Sequence, residues 1–255
     1  MLMEIWRTAP DWVVIGVAGS LVIAGMLKGI IGVGMPLVAL PLLSMFIDVR
    51  ASVMLLSIPL VLSNIPQAVE GGKIQACLKE LSPVILGMVP GILIGVFVLL
   101  AVDASIAKLI AGVVVVIIAI LTMLAPKLEL KQHLHKPAGM VSGLLGGALG
   151  GLAAMPGPLV FTYLLAKGLR GKSFTKEASM FLVLSAALLA LVLTSSRAFD
   201  WSDLVVSTVA LVPVAAGMFV GQKLRDMVSA EAFKHCVLIV VLLSGAELMR
   251  NAILA

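Results

Sequence analysis

Residues 29–43 read GIIGVGMPLVALPLL. Three glycines and two prolines interrupt a stretch that is otherwise almost wholly aliphatic. Glycine gives up the most backbone freedom in a helix, and proline removes a hydrogen bond. The surroundings nonetheless call for a continuous apolar helix. Of the 255 residues, 61% are hydrophobic and 12% are charged, with a mean hydropathy of +1.19. Soluble domains are about half apolar and about a quarter charged. The runs 81–101, 105–125 and 232–249 approach the roughly 20 apolar residues that cross a bilayer. The chain reads as an all-α polytopic membrane protein.

Other classes fail on the same grounds. The longest hydrophilic stretches, 126–137 and 167–177, are loop-sized and leave no room for a soluble catalytic domain. The net charge of +5 and pI near 9.4 do not point to nucleic acid, because the basic residues sit in short loops between apolar segments. Membrane topology explains them better. Cys77 and Cys236 lack CxxC spacing and read as free thiols. His133 and His135 lie between Lys131 and Lys136 and read as a solvated loop. No metal and no cofactor is expected. Glu4 and Arg7 precede the first apolar run and no small-x-small site follows it, so that run reads as a retained helix, not a cleaved signal.

A duplication organises the chain. Shifted by 122 positions, Pro36-Leu37-Val38 falls on Pro158-Leu159-Val160, Ser57 on Ser179, and Ser63 on Ser185. Gly25 and Gly29 fall on Gly147 and Gly151. A shift of 126 aligns Gly91 and Gly95 with Gly217 and Gly221. The first repeat is taken as 1–125, the linker as 126–137 and the second repeat as 138–255. Each half holds five apolar elements: 12–33, 35–47, 51–69, 81–101 and 104–125, then 138–156, 158–167, 176–196, 203–222 and 231–250. The second is short in both halves.

Lys and Arg concentrate in alternate loops: Lys73 and Lys79; Lys127, Lys131 and Lys136; Lys167, Arg170, Lys172 and Lys176; Lys223, Arg225 and Lys234. The positive-inside rule places these in the cytoplasm. Each half then has a Gly/Pro-broken hairpin, re-entrant or full, plus three transmembrane helices. An odd number of crossings makes the halves inverted repeats, with both termini outside the cytoplasm. The expected location is the inner (plasma) membrane, multi-pass.

Unsatisfied backbone is tolerated at membrane depth only where it is buried or lines a cavity. In inverted-repeat transporters, Gly/Pro interruptions at matching positions point to the substrate site. The match to 29–36 is Gly150-Gly151-Leu-Ala-Ala-Met155-Pro156-Gly157-Pro158. Each break leads into a short helix whose start presents free N–H groups and partial positive charge, a cradle for an anion. Inversion would bring both starts together near the midplane, presenting Gly32, Gly34, Pro36, Gly157 and Pro158. The alternative reading is helix packing, which suits the outer small-xxx-small glycines better than the prolines. Lys28 stands inside the first apolar segment, where an ionisable residue is a functional candidate. Its counterpart is Gly150, so the cavity is expected to be asymmetric. Ser57, Ser63, Asn64, Ser179 and Ser185, with Gln67, are candidates to bind substrate oxygens; interhelical hydrogen bonding is the competing role.

The run Gly32-Val-Gly34-Met-Pro36-Leu37-Val-Ala-Leu-Pro41-Leu42-Leu43 and its second copy resemble the sulfite exporter TauE/SafE family. The resemblance spans nearly the whole chain. Val33, Met35 and Pro36 break the family's glycine triplet, and Tyr163 replaces the proline of the second Pro-Leu-Leu. It implies a secondary transporter, often an exporter, of a small anion such as sulfite, an organosulfonate or a related carboxylate. A proton or sodium ion is the expected coupling partner, and a homodimer the expected assembly. An anion channel shares the same site logic. A membrane enzyme would need paired carboxylates or clustered histidines within the membrane, which the sequence lacks. A non-transporting subunit is the third rival.

Overall fold

The structure is a computed structural model that describes residues 2–124, 129–196, 199–225, 227, 239, 242–247, 249–250 and 252–253. The described residues are mostly helical, with no strand among them. In order, the elements are α1 (Leu2–Thr8), α2 (Asp11–Ile31), α3 (Met35–Leu43), α4 (Val49–Val69), α5 (Ile74–Ala101), α6 (Ala104–Leu124), α7 (His135–Ala153), α8 (Gly157–Ala166), α9 (Gly171–Ser195), α10 (Trp201–Val209) and α11 (Leu211–Leu224). A 3-10 turn at Gln132–Leu134 leads into α7. Among the described residues, five helices are long and apolar enough to cross a bilayer, the α10–α11 pair counting as one. The protein is an all-α polytopic membrane protein. The last expected element, 231–250, and the start of the linker lie largely outside the described residues.

Helix ends follow local chemistry. Gly32 closes α2 at φ +92, its N–H bonded to the Lys28 carbonyl. Gly34 opens α3 at φ +96, with Pro36 in the first turn. Both glycines occupy the left-handed region, where a side chain would be strained. Asp48 caps α4 by accepting from the Ala51 N–H at 2.9 Å.

Several expected boundaries moved, and α3 ends at Leu43, not 47. α5 starts at Ile74, not 81, and α9 at Gly171, not 176. Their first two turns carry exposed polar residues such as Gln75, Lys79, Lys172 and Ser173. Apolar composition marks the hydrocarbon layer, whereas the helix runs on past it. The element 203–222 is divided at Ala210, because Pro213 offers no N–H to the Val209 carbonyl. α1 has no counterpart in the sequence reading. It is held at its start by the buried Asp203 carboxylate, which accepts from the Leu2 N–H at 2.6 Å.

The opening helix of each half packs on the fourth element of the other: α2 on α11, and α7 on α5. Glycines make both contacts backbone to backbone. A Cβ at Gly91 would run into the Leu144 carbonyl, and one at Gly217 into the Val22 carbonyl. Val22 and Leu144 are 122 positions apart. A Cβ at Gly147 would run into the Met88 carbonyl, and one at Gly25 into the Val214 carbonyl. Met88 and Val214 are 126 apart. These are the offsets at which the sequence matches itself.

At the centre α4 packs on α9. Ser179 of α9 donates to Gln67 of α4 at 3.0 Å. Lys172 lies 3.9 Å from Glu70, and Lys176 donates to the Gly72 carbonyl. The C-terminal end of α4 therefore meets the N-terminal end of α9, and the two run antiparallel.

Candidate functional site

The first break lies against α4. Lys28, on the last turn of α2, is 2% exposed. Its Nζ donates to the Oδ1 of Asn64, which is itself fully buried. The Asn64 amide nitrogen donates back to the Leu60 carbonyl at 2.7 Å, so the side chain is oriented with its oxygen toward Lys28. Among the described residues no carboxylate lies within ion-pair distance of Lys28. Buried against a neutral amide, the Lys28 amine is costly to keep charged without a further ligand.

Ser63 sits beside Asn64, and its buried hydroxyl has no hydrogen-bond partner. It is one turn before Gln67 on the same face of α4. The left-handed Gly32 directs its open side toward Gln67 and Arg225: a Cβ there would lie 3.7 Å from Gln67 Nε2 and 3.6 Å from Arg225 Nη2. Arg225 also donates from Nε to the Ile30 carbonyl at 3.0 Å, closing the end of α2. No side chain caps the start of α3, nor that of α8.

The second break is built differently. Pro156 folds back on α7, so a Cβ at Gly150 would lie 2.9 Å from the Pro156 ring and 3.2 Å from the Ser185 hydroxyl. Gly157 is buried and its open side faces the Phe161 ring; Pro158 is half-buried. Ser179 bridges to Gln67. Ser57 gives its hydroxyl to the Met54 carbonyl of its own helix at 2.8 Å. It stands seven residues from Asn64, about 10 Å along the axis.

The Gln67–Ser179 contact fixes the level of these groups. Ser179 corresponds to position 57, and the midpoint of 57 and 67 falls at Leu62, matching Leu184 in α9. Ser63, Asn64 and Ser185 lie within two residues of that midpoint, about 3 Å along the helices. Lys28 reaches the same level through Asn64. The Gln67–Gly32 contact is about 7 Å toward the Gly72 end.

The profile of the sulfite exporter TauE/SafE family matches residues 17–248. The chain belongs to that family. A search of curated proteins and one of solved structures gave no match. TauE/SafE is a family of membrane transporters, and membership places this chain among multi-pass membrane proteins.

Sequence reasoning missed Arg225, which it assigned to a loop as a topological charge; a long guanidinium reaches back to the first break. It also counted the basic residues at 167–176 only as topological charges. There Lys167 pairs with Glu80 at 2.6 Å. Burial works to lower the Lys167 pKa, but the bond to Glu80 and the charges of Glu177 and Glu80 raise it above the usual lysine range.

Proposed function

We propose that this TauE/SafE member is a secondary transporter, working as an exporter, of a small sulfur-containing anion such as sulfite or an organosulfonate. Lys28 supplies the charge and Ser63 a hydroxyl. The uncapped starts of α3 (Gly34, Pro36) and α8 (Gly157, Pro158) supply N–H dipoles. The observation that carries this reading is the Lys28 ammonium, buried against a neutral Asn64. Ser185 and Ser179 border the site from the second half, and Gln67 and Gly32 border it from the first. Ser57 belongs to the helix itself, since its hydroxyl is already bonded to Met54.

In this reading residues 1–125 and 138–255 are inverted repeats joined by a cytoplasmic linker, 126–137, with both termini outside the inner membrane. The antiparallel α4–α9 pair and the two interchangeable glycine contacts support it. Symmetry mates that run antiparallel require a two-fold axis perpendicular to the helices, and hence in the membrane plane. Alternating access then comes from movement of the halves about the α4–α9 contact.

A carrier fits better than a channel, because Lys28 and Asn64 are sealed from solvent. The test is counterflow in proteoliposomes loaded with unlabelled sulfite. Uptake of labelled sulfite that saturates and overshoots is the expected result. Linear flux without counterflow would indicate a channel, and no flux of any anion would reject transport. Imposed proton and sodium gradients in the same vesicles identify the coupling ion.

A further inference from the structure

Charge counting at the central site says more about the substrate. The site holds one cation, Lys28, sealed from water and facing the neutral Asn64. The other polar groups at its level, Ser63 and Ser185, are neutral. So are Gln67 and Ser179 just beyond, and these are bonded to each other. The position in the second half that corresponds to Lys28 is Gly150, where the Pro156 ring and the Ser185 hydroxyl leave no space for a side chain. Duplication therefore did not yield a second cation. Arg225 stands outside this layer: its side chain is exposed and it closes α2 at the Ile30 carbonyl. The Ser63 hydroxyl, buried and unpartnered, is a neutral donor at the same level.

From this geometry we infer that the site selects anions carrying a single negative charge. The inference rests on the anion-transport reading and deepens it. A monoanion on Lys28 leaves a neutral, dry complex. A dianion of the same size leaves its second charge facing only the partial charges of the α3 and α8 starts, with no second side-chain cation at that level, and burial of an incompletely paired charge is penalised. Specificity then arises from the missing second cation more than from any added contact.

Methanesulfonate and sulfate make the test, because both are tetrahedral and similar in size and differ by one charge. Each competes, in wild-type proteoliposomes, for counterflow of labelled methanesulfonate. The expected result is inhibition by unlabelled methanesulfonate at concentrations about a hundredfold below those of sulfate. Equal potency, or better inhibition by sulfate, overturns the inference and leaves anion transport standing. Failure of both anions to exchange, with no thermal stabilisation of the purified protein by either, removes the anion site and the charge rule together. Asn64→Asp supplies an independent arm. The change is isosteric and places a carboxylate against Lys28, so the net charge of the site falls to zero. Methanesulfonate exchange should drop about a hundredfold while the purified protein remains folded. Retained exchange in that variant overturns the inference.

Discussion

Replacing Lys28 with Met separates a functional charge from a structural one. Methionine has nearly the length of lysine and keeps the packing against α4, so the change removes charge more than volume. Two terms compete in the folded protein. Asn64 Oδ1 loses its donor, at about 1–3 kcal/mol for an orphaned buried acceptor. Against this, the desolvation penalty of an ammonium that is 2% exposed is relieved, and that penalty is several kcal/mol per ion. The balance predicts unchanged or raised stability, with the midpoint of thermal unfolding in detergent rising by up to a few degrees. Anion binding moves the other way. A unit pair about 4 Å apart at an effective dielectric near 20 is worth about 4 kcal/mol, or about a thousandfold in affinity. Thermal unfolding with and without sulfite, followed by counterflow, reads both effects in one preparation. A variant that melts earlier and still transports at the wild-type rate would refute the reasoning, because Lys28 would then be a structural prop.

Other substitutions probe the remaining parts of the account. Ser63→Ala should leave the melting temperature unchanged or slightly higher, because the hydroxyl has no partner, and should weaken anion affinity about five- to tenfold, the value of one hydrogen bond; equal affinity would remove Ser63 from the site. Gly91→Ala and Gly217→Ala should each destabilise by about 1–3 kcal/mol and by similar amounts, since each Cβ meets an equivalent carbonyl. A neutral result at either position would show that its helix pair can separate freely. Ser207 accepts from the Ile58 N–H at 3.2 Å and donates to the Leu55 carbonyl at 2.9 Å, the carbonyl that Pro59 cannot serve. Ser207→Ala should therefore cost about 1–3 kcal/mol in thermal unfolding without changing anion affinity. Asp200, held below the usual carboxylate range by the Ser202 hydroxyl and then by the Asp203 N–H, caps α10. Its depressed pKa means the contribution is full above the unfolded-state value and disappears as pH falls through the folded one. Asp200→Ala should accordingly lower the melting temperature at neutral pH and flatten its decline in acid.

The breaks were legible in the sequence because Gly32, Gly34 and Pro36 allow few alternatives to a helix end followed by a helix start. Lys28 was conspicuous for the same kind of reason: a charge in an apolar run must have a use or a partner. Asn64 was visible as a polar position on α4, but its bond to Lys28 joins residues 36 apart in sequence, which no local pattern encodes. Ser57 and Ser63 look alike as matched serines. Only the fold shows that one hydroxyl is bonded to its own helix and the other is left open. The polar first turns of α5 and α9 were invisible to a hydropathy reading, which locates the membrane and not the helix. Arg225 was hidden by its position in a cationic loop, and α1 by its short length; its anchor, Asp203, lies about 200 residues away.

The most direct test of the central site is an experimental structure of the wild-type protein with selenite, whose selenium gives an anomalous signal. The account predicts an anomalous peak within hydrogen-bonding distance of Lys28 Nζ, between the start of α3 and Ser63 on α4. A peak confined to the Arg225 or Lys167–Lys176 loops, with Lys28 still bonded to Asn64 alone at saturating selenite, would contradict it.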